Sequence, residues 1–137
     1  MARRWVHQYP PGVPTTLDYP KISLPDLLKQ TAERAPEQEA ILFLGKRIRY
    51  CQLFDDVVRL ANSLKDLGVK KGDRVAIMLP NSPQAVIAYY AILMIGAVVV
   101  QVNPMYTERE LTYQLIDSGA ERIFCLDLFF EKVRRGK

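Results

Sequence analysis

The sequence predicts an α/β fold in which a parallel, doubly wound sheet is accompanied by a small antiparallel hairpin. Three observations carry that prediction. Short apolar segments at Val75 to Leu79, Val98 to Val102 and Ile123 to Leu126 are rich in β-branched or aliphatic residues, and stretches of helical length separate them. Between and before them, apolar residues recur at three- and four-residue spacing, most clearly at Leu53, Val57, Leu60, Leu64 and Leu67. Glycines and prolines fall at the joints of these segments, without an internal repeat or low-complexity run. Strands alternating with helices call for right-handed crossovers and hence a parallel sheet.

Residues 1–22 read as a polar, proline-rich arm, and residues 23–137 as a partial α/β subdomain. In the arm, Trp5, Gln8 and Tyr9 surround the single histidine, His7, and the arm is expected to pack its aromatic side chains across the domain. A His-based triad or metal cluster would have to be built on that segment, which is a poor platform for one.

Ser23 is the N-cap of the first helix, Pro25 lies in its first turn, and Asp26 completes a capping-box pattern. Leu24, Leu27, Leu28, Thr31 and Ala35 form its apolar face, and Pro36 closes it. Ala40 to Leu44 and Arg47 to Tyr50 then flank Gly45-Lys46, read as a two-residue type II′ hairpin turn. The helix carrying the Leu53 to Leu67 stripe keeps Asp55, Asp56, Arg59 and Asp66 off that stripe and ends at Gly68. A polar turn, Lys70 to Asp73, leads into the strand Arg74 to Leu79.

Ser82-Pro83 starts a helix to about Ile95, Gly96 stops it, and Val98 to Val102 is the next strand. Asn103-Pro104 breaks that strand. Thr107-Glu108-Arg109-Glu110 is a capping box opening a helix to about Asp117, with Gly119 at its end. Arg122 to Leu126 is a further strand, and Leu128 to Arg135 begins another amphipathic helix.

Val75 to Thr107 is 33 residues without a charge, and its apolar run Ala85 to Val102 is long enough to span a bilayer. The change of residue type at Gly96 and the β-branched block Val98-Val99-Val100 divide that run into a helix, a stop and a buried strand. A soluble core accounts for it, and without a secretory signal the expected compartment is the cytoplasm.

Charge and cysteine content exclude further classes. The net charge of +4 rests on six basic residues near the termini, Arg3, Arg4, Lys132, Arg134, Arg135 and Lys137, and the remainder carries thirteen basic against fifteen acidic residues. No basic stripe with interleaved aromatics remains, so a nucleic-acid partner is not expected. Cys51 and Cys125 have no CxxC or Cys/His spacing, which indicates neither a zinc site nor a disulfide framework.

Candidate chemistry is sparse. The glycines all have structural explanations at turns and helix ends, and none forms a phosphate-cradling loop. Asp55 and Asp56 are adjacent helix positions about 100° apart and do not converge on one substrate. Tyr89, Tyr90 and Tyr106 could line an acyl or partner site, although such tyrosines more often sit at a core edge. Asn103, Pro104 and Tyr106 follow the carboxyl end of a parallel strand, where open α/β sheets place ligands, and are the candidate substrate-binding residues. A tight strand-to-helix turn would also select Asn-Pro.

Several segments, in order and spacing, carry a resemblance: Arg49-Tyr50-Cys51-Gln52-Leu53, Lys71-Gly72-Asp73-Arg74-Val75-Ala76, Met78-Leu79-Pro80-Asn81-Ser82-Pro83-Gln84, Gly96 to Pro104, and Tyr106-Thr107-Glu108-Arg109-Glu110-Leu111 with Gln114-Leu115. They resemble the adenylate-forming ligase superfamily, specifically bacterial long-chain fatty acid:CoA ligases, from the Trp5 arm to Leu128. The family usually has Thr or Ser where Arg49 stands, Glu at Gln52, Lys at Met94 and Pro at Gln101. The change at Arg49 removes a helix-capping hydroxyl, and Gln101 is the variant that separates fatty acyl enzymes from amino-acid adenylating relatives.

The resemblance implies the N-terminal part of the ligase large domain and a parent, AMP-forming reaction. In it, fatty acid and Mg-ATP give acyl-adenylate and pyrophosphate, then CoA displaces AMP. Family members are several times longer, and their phosphate loop, adenine and ribose motifs and catalytic lysine have no counterparts within Met1 to Lys137. The resemblance therefore transfers no catalytic residue, and the chain alone is expected to be inactive and to bind no cofactor. The parent enzyme would use ATP, Mg²⁺ and CoA. Expected partners are the remainder of the ligase chain and, through an incomplete sheet, a second copy; a peripheral membrane contact would belong to the parent. The alternative is a short, non-catalytic interaction module derived from the same fold.

Overall fold

The computed structural model describes residues 4–135. Arg3 and Lys137, counted above among the basic residues of the termini, lie outside the described residues, as do the outermost positions of the 1–22 arm and of the 23–137 subdomain. Arg4–Gln8 forms a 3-10 turn, and the arm then runs without helix or strand to Ile22. Its aromatics do not pack across the domain as expected: Trp5 is 58% exposed and Tyr19 77%. The physical reason lies in the arm itself, where Pro10, Pro11, Gly12 and Pro14 interrupt any repeating face that could be laid on the body.

Helix α1 is Leu24–Arg34. The Ser23 hydroxyl accepts from the Asp26 N–H at 3.2 Å and donates to Asp26 Oδ2 at 2.6 Å. Its buried residues are Leu28 and Ala32, whereas Leu24 and Leu27 are each 47% exposed. The buried face is therefore narrower than the apolar face expected from the sequence: Pro25 and Asp26 of the first turn stand on the side of Phe54, Leu93 and Met94, and Leu24 and Leu27 stay exposed.

Strands β1, Glu39–Phe43, and β2, Lys46–Arg49, pair antiparallel with Phe43 opposite Lys46. The turn residues are Leu44 and Gly45, not Gly45 and Lys46, and both have positive φ, 47° and 79°. That is the backbone of a type I′ turn, whose twist matches the flanking strands. Leucine is an uncommon choice for that conformation.

Helix α2, Tyr50–Asp66, starts at Arg49, whose side chain offers no acceptor; the Arg49 N–H instead donates to Gln52 Oε1 at 3.0 Å, half of a capping box. Leu53, Val57, Ala61 and Leu64 are buried. Leu67, placed on the stripe by periodicity, is 70% exposed because it lies past the last helical turn. There the Gly68 N–H donates to Lys65 O at 2.8 Å and the Val69 N–H to Leu64 O at 2.9 Å, a Schellman closure with Gly68 at φ 79°.

Three parallel strands follow: β3 Arg74–Met78, β4 Val98–Gln101 and β5 Arg122–Cys125, in the order β4-β3-β5. Helix α3, Pro83–Met94, connects β3 to β4; helix α4, Glu108–Ser118, connects β4 to β5; a 3-10 turn, Asp127–Phe129, leads into α5, Phe130–Arg135. The three predicted strands are neighbours and parallel, but only the middle one is buried. Val75, Ala76, Ile77 and Met78 are all at or below 1% exposure, while Val98 on the β4 edge is 48% exposed. Edge strands have one open flank, so apolar composition alone does not bury them.

Alternate residues of β3 build two cores. Val75 and Ile77 face α1, α2 and α3, with Val57, Ala91 and Ile92; Ala76 and Met78 face α4 and α5, with Leu111, Leu115 and Val133. Helices thus cover both faces, as a doubly wound sheet requires. The apolar run Ala85 to Val102 is broken at Gly96, φ 76°, into α3 and β4. Among the described residues no helix is long and apolar enough to cross a membrane.

Candidate functional site

The loops that follow β3 and β4 leave adjacent strands for opposite faces of the sheet. This is the switch-point arrangement at which open α/β sheets form a ligand crevice. On the α3 side, a cavity of about 690 Å³ lies between the hairpin and the carboxyl end of the sheet, lined among others by Phe43, Leu79, Asn81, Ser82, Tyr89 and Gln101. Tyr89 and Tyr90 meet edge to face at 5.7 Å between ring centroids, both half-buried against the larger core. Ser82 is committed to α3, its hydroxyl accepting from the Ala85 N–H at 3.3 Å.

On the other side stand the residues singled out from the sequence. Asn103 is exposed, and its Oδ1 accepts from the Met105 N–H at 3.0 Å, while the Tyr106 N–H donates to the Asn103 carbonyl at 3.1 Å. These are the bonds of a tight turn. Pro104 and Tyr106 are half-buried, and Tyr106 packs against the α4–α5 core while its carbonyl accepts from Lys132 Nζ at 2.8 Å. Tyr106 also lines a cavity of about 440 Å³ on α4 with Arg109, Glu110, Tyr113, Gln114 and Asp117. Asn103 and Tyr106 are therefore joined by turn geometry and do not converge on the α3-side cavity.

Thr107 and Glu110 form the capping box read from the sequence: Glu110 Oε2 accepts from the Thr107 N–H and hydroxyl, each at 2.8 Å. Those two bonds hold the Glu110 carboxyl below the usual carboxylate range. Burial pushes the Cys125 thiol up, away from thiolate chemistry.

Sequence reasoning missed the structural part played by Gln114. Its Nε2 donates to the Gln101 carbonyl at 2.8 Å, and its Oε1 is buried without a partner. The bond spans thirteen residues and depends on which strand has an open edge, which residue spacing does not report.

A divalent cation needs several converging oxygen ligands. Among the described residues no group of three or more His, Cys, Asp or Glu side chains could hold one. Gly68 and Gly96 present their amides to helix C-terminal carbonyls, so these turns do not form a phosphate cradle. Among the described residues, neither the acidic side chains nor these two turns fit Mg²⁺ or a nucleotide phosphate chain.

Among the described residues, a three-stranded parallel sheet and an antiparallel hairpin, with helices on both faces of the sheet, define an α/β fold. The profile of the AMP-binding enzyme family matches residues 28–136, and the chain belongs to that family. It is 45% identical over 133 residues to a long-chain-fatty-acid–CoA ligase of Bacillus subtilis, covering 97% of this chain and 24% of the relative. It is 40% identical over 131 residues to the corresponding ligase of Escherichia coli O157:H7, covering 94% of this chain and 23% of the relative. The chain thus spans about a quarter of the curated relatives it matches.

Solved structures give the same placement. The N-terminal subdomain of Klebsiella oxytoca NpsA, in complex with anthranilyl-AMSN, superposes with a TM-score of 0.71 and 34% identity over 73% of this chain and 26% of that one. O-succinylbenzoate Coenzyme A synthetase (MenE) from Bacillus subtilis, in complex with AMP, gives 0.74 and 30% over 78% and 28%.

Proposed function

We propose that this chain is the N-terminal scaffold of a long-chain fatty acid:CoA ligase, supporting acyl and nucleotide sites built by other parts of the polypeptide and catalysing no step by itself. The observation that carries this reading is the 45% identity across 97% of the chain to a ligase four times its length. The parent reaction uses ATP, Mg²⁺ and CoA to convert a fatty acid to acyl-CoA, AMP and pyrophosphate. Charge developing on transferred phosphates must be met by positioned donors and a metal ion, and among the described residues no group of three or more His, Cys, Asp or Glu side chains could hold that ion. The cytoplasm, with a peripheral membrane contact for the parent enzyme, is the compartment this role fits. The test is pyrophosphate exchange into ATP with palmitate and Mg²⁺. The isolated chain is expected to show none, and fatty acid-dependent exchange by chain free of full-length enzyme would overturn the proposal.

A further inference from the structure

The turn that ends β4 is held by a side chain from far along the polypeptide. Lys132 Nζ, on α5, donates to the Tyr106 carbonyl at 2.8 Å in a part-buried bond that spans 26 residues. The same ammonium stands 5.3 Å from the centroid of the Phe129 ring, within reach of a cation–π contact. Tyr106 precedes the N-cap Thr107, Leu111 lies four residues past it, and both belong to the α4–α5 core. These are the positions of a hydrophobic staple, which sets the angle at which the chain enters a helix. Arg135 Nη1 and Glu108 Oε1, 3.6 Å apart, join the same two helices, but with side chains 65% and 53% exposed this pair contributes little. The link that matters is the Lys132 bond.

Neither partner in that bond is secure alone. Helix α5 has six residues, and a helix of that length has almost no stability of its own in water. It is held where Val133, 6% exposed, and Phe129 seat in the core with Leu111 and Leu115. Seating those two side chains also brings Lys132, which lies between them in sequence, up to Tyr106. The turn for its part rests on short-range bonds, from the Met105 N–H to Asn103 Oδ1 and from the Tyr106 N–H to the Asn103 carbonyl. Asn103 and Met105 are exposed, so water competes for the first of them. An ammonium held on a carbonyl away from bulk water is among the stronger hydrogen bonds. Two marginal segments joined by it gain order together, and such coupling is reciprocal.

We propose that α5 is a latch on the turn at the carboxyl end of β4, with Lys132 as the positioning residue, so that α5 docks and the turn from Asn103 to Tyr106 orders as one event. When α5 leaves the core the Tyr106 carbonyl loses its anchor, and Asn103, Pro104 and Tyr106 leave the geometry they hold at the ligand-binding end of the sheet. This rests on the scaffold role proposed above, in which this end of the sheet supports sites built elsewhere. Its test reads no catalysis, so the latch and that role fail separately.

Amide exchange of the isotopically labelled chain reads both segments at once. Lys132→Met, which keeps an unbranched stem and removes the ammonium, is expected to speed exchange at Met105 and Tyr106 about tenfold, with Ile77 unchanged. Lys132→Arg keeps a charged donor and is expected to restore most of that protection. In the other direction, Asn103→Ala is expected to speed exchange at Val133 several-fold in the otherwise unsubstituted chain and not at all in Lys132→Met, the double-mutant signature of a direct link. Unchanged exchange at Met105 and Tyr106 in Lys132→Met would overturn the proposal. Exchange at Ile77 that speeds up to the same extent would overturn it too, by making Lys132 a general stabiliser of the fold. So would an effect of Asn103→Ala on Val133 that is the same with and without the ammonium.

Discussion

The face of the sheet that carries α1, α2 and α3 and the face that carries α4 and α5 grow from alternate residues of one strand, yet they are closed by different means. On the first, Val75 and Ile77 meet three helices whose contact residues include Ala88 and Ala91, so small side chains let helix and sheet approach and large ones interdigitate. On the second, Met78 meets the shorter pair α4 and α5, and the outer surface keeps Tyr113, Ile116 and Phe130 exposed at 73%, 75% and 58%. The first face is held by packing. The second leans on fewer apolar contacts and on the polar closure at Thr107 and Glu110. A sheet whose halves differ in this way should respond differently to the same kind of substitution on each side.

The largest expected effect compares neighbouring core residues of β3. Ile77→Ala, at 1% exposure between α2 and α3, should cost about 3–4 kcal/mol of unfolding free energy, since a β-branched side chain in rigid surroundings leaves a cavity that does not collapse. Met78→Ala, fully buried on the other face, should cost about 2–3 kcal/mol, because α4 and α5 can settle into the space. Urea titration of both variants gives the two values. A Met78→Ala loss equal to or larger than that of Ile77→Ala would erase the distinction between the faces.

A smaller effect tests the helix ends on each side. Gly96, after α3, has φ 76°, and an added Cβ would stand 3.0 Å from Lys71 Cγ. Gly119, after α4, has φ 63° and its nearest neighbour, Arg74 Nη1, at 3.5 Å. Left-handed backbone costs an alanine about 1 kcal/mol at either place. Lys71 must also give way at Gly96, so Gly96→Ala should lower the thermal midpoint more than Gly119→Ala. Equal shifts would mean that Lys71 moves aside freely.

The order of helices and strands was legible because each element announces itself locally: the Leu53 to Leu64 stripe, the caps at Ser23, Ser82 and Thr107, and the stops at Gly68, Gly96 and Gly119. The resemblance to the adenylate-forming ligases was legible for another reason, the ordered run of motifs from Arg49 to Leu115. What spacing did not reveal depends on neighbours far along the chain. Val98-Val99-Val100 and Val75 to Met78 look equally suited to a sheet interior, and only the order β4-β3-β5 makes one an edge and the other the centre. The hairpin turn slipped by one residue because Gly45 can supply a positive φ at either turn position, and the choice was made by the pairing of Phe43 with Lys46. At the candidate site, Asn103 and Tyr106 stand where their sequence position puts them, after a parallel strand, but their polar groups serve the turn itself.

The smallest effect concerns acid. Helix α4 begins at a box whose carboxylate, Glu110, accepts two bonds from Thr107, whereas α3 begins at Ser82 with no acidic residue in its first turn. A carboxyl held below its usual range in the folded state stabilises that state at neutral pH. Its contribution is present above the unfolded value and is lost as pH falls through the lowered folded one. Acidification below the ordinary glutamate range should therefore loosen the first turn of α4 before that of α3. In Glu110→Gln the box keeps an acceptor that does not titrate, so the acid step at α4 should vanish. Thr107→Ala, which removes the other half of the box, should cost about 1 kcal/mol at neutral pH. Amide exchange at Leu111 and Val86, followed from neutral to acid pH, reads the two helices side by side. An acid response of Leu111 that persists unchanged in Glu110→Gln would move its cause elsewhere on the face, and parallel loss at both helices would show that the two sides of the sheet open as one.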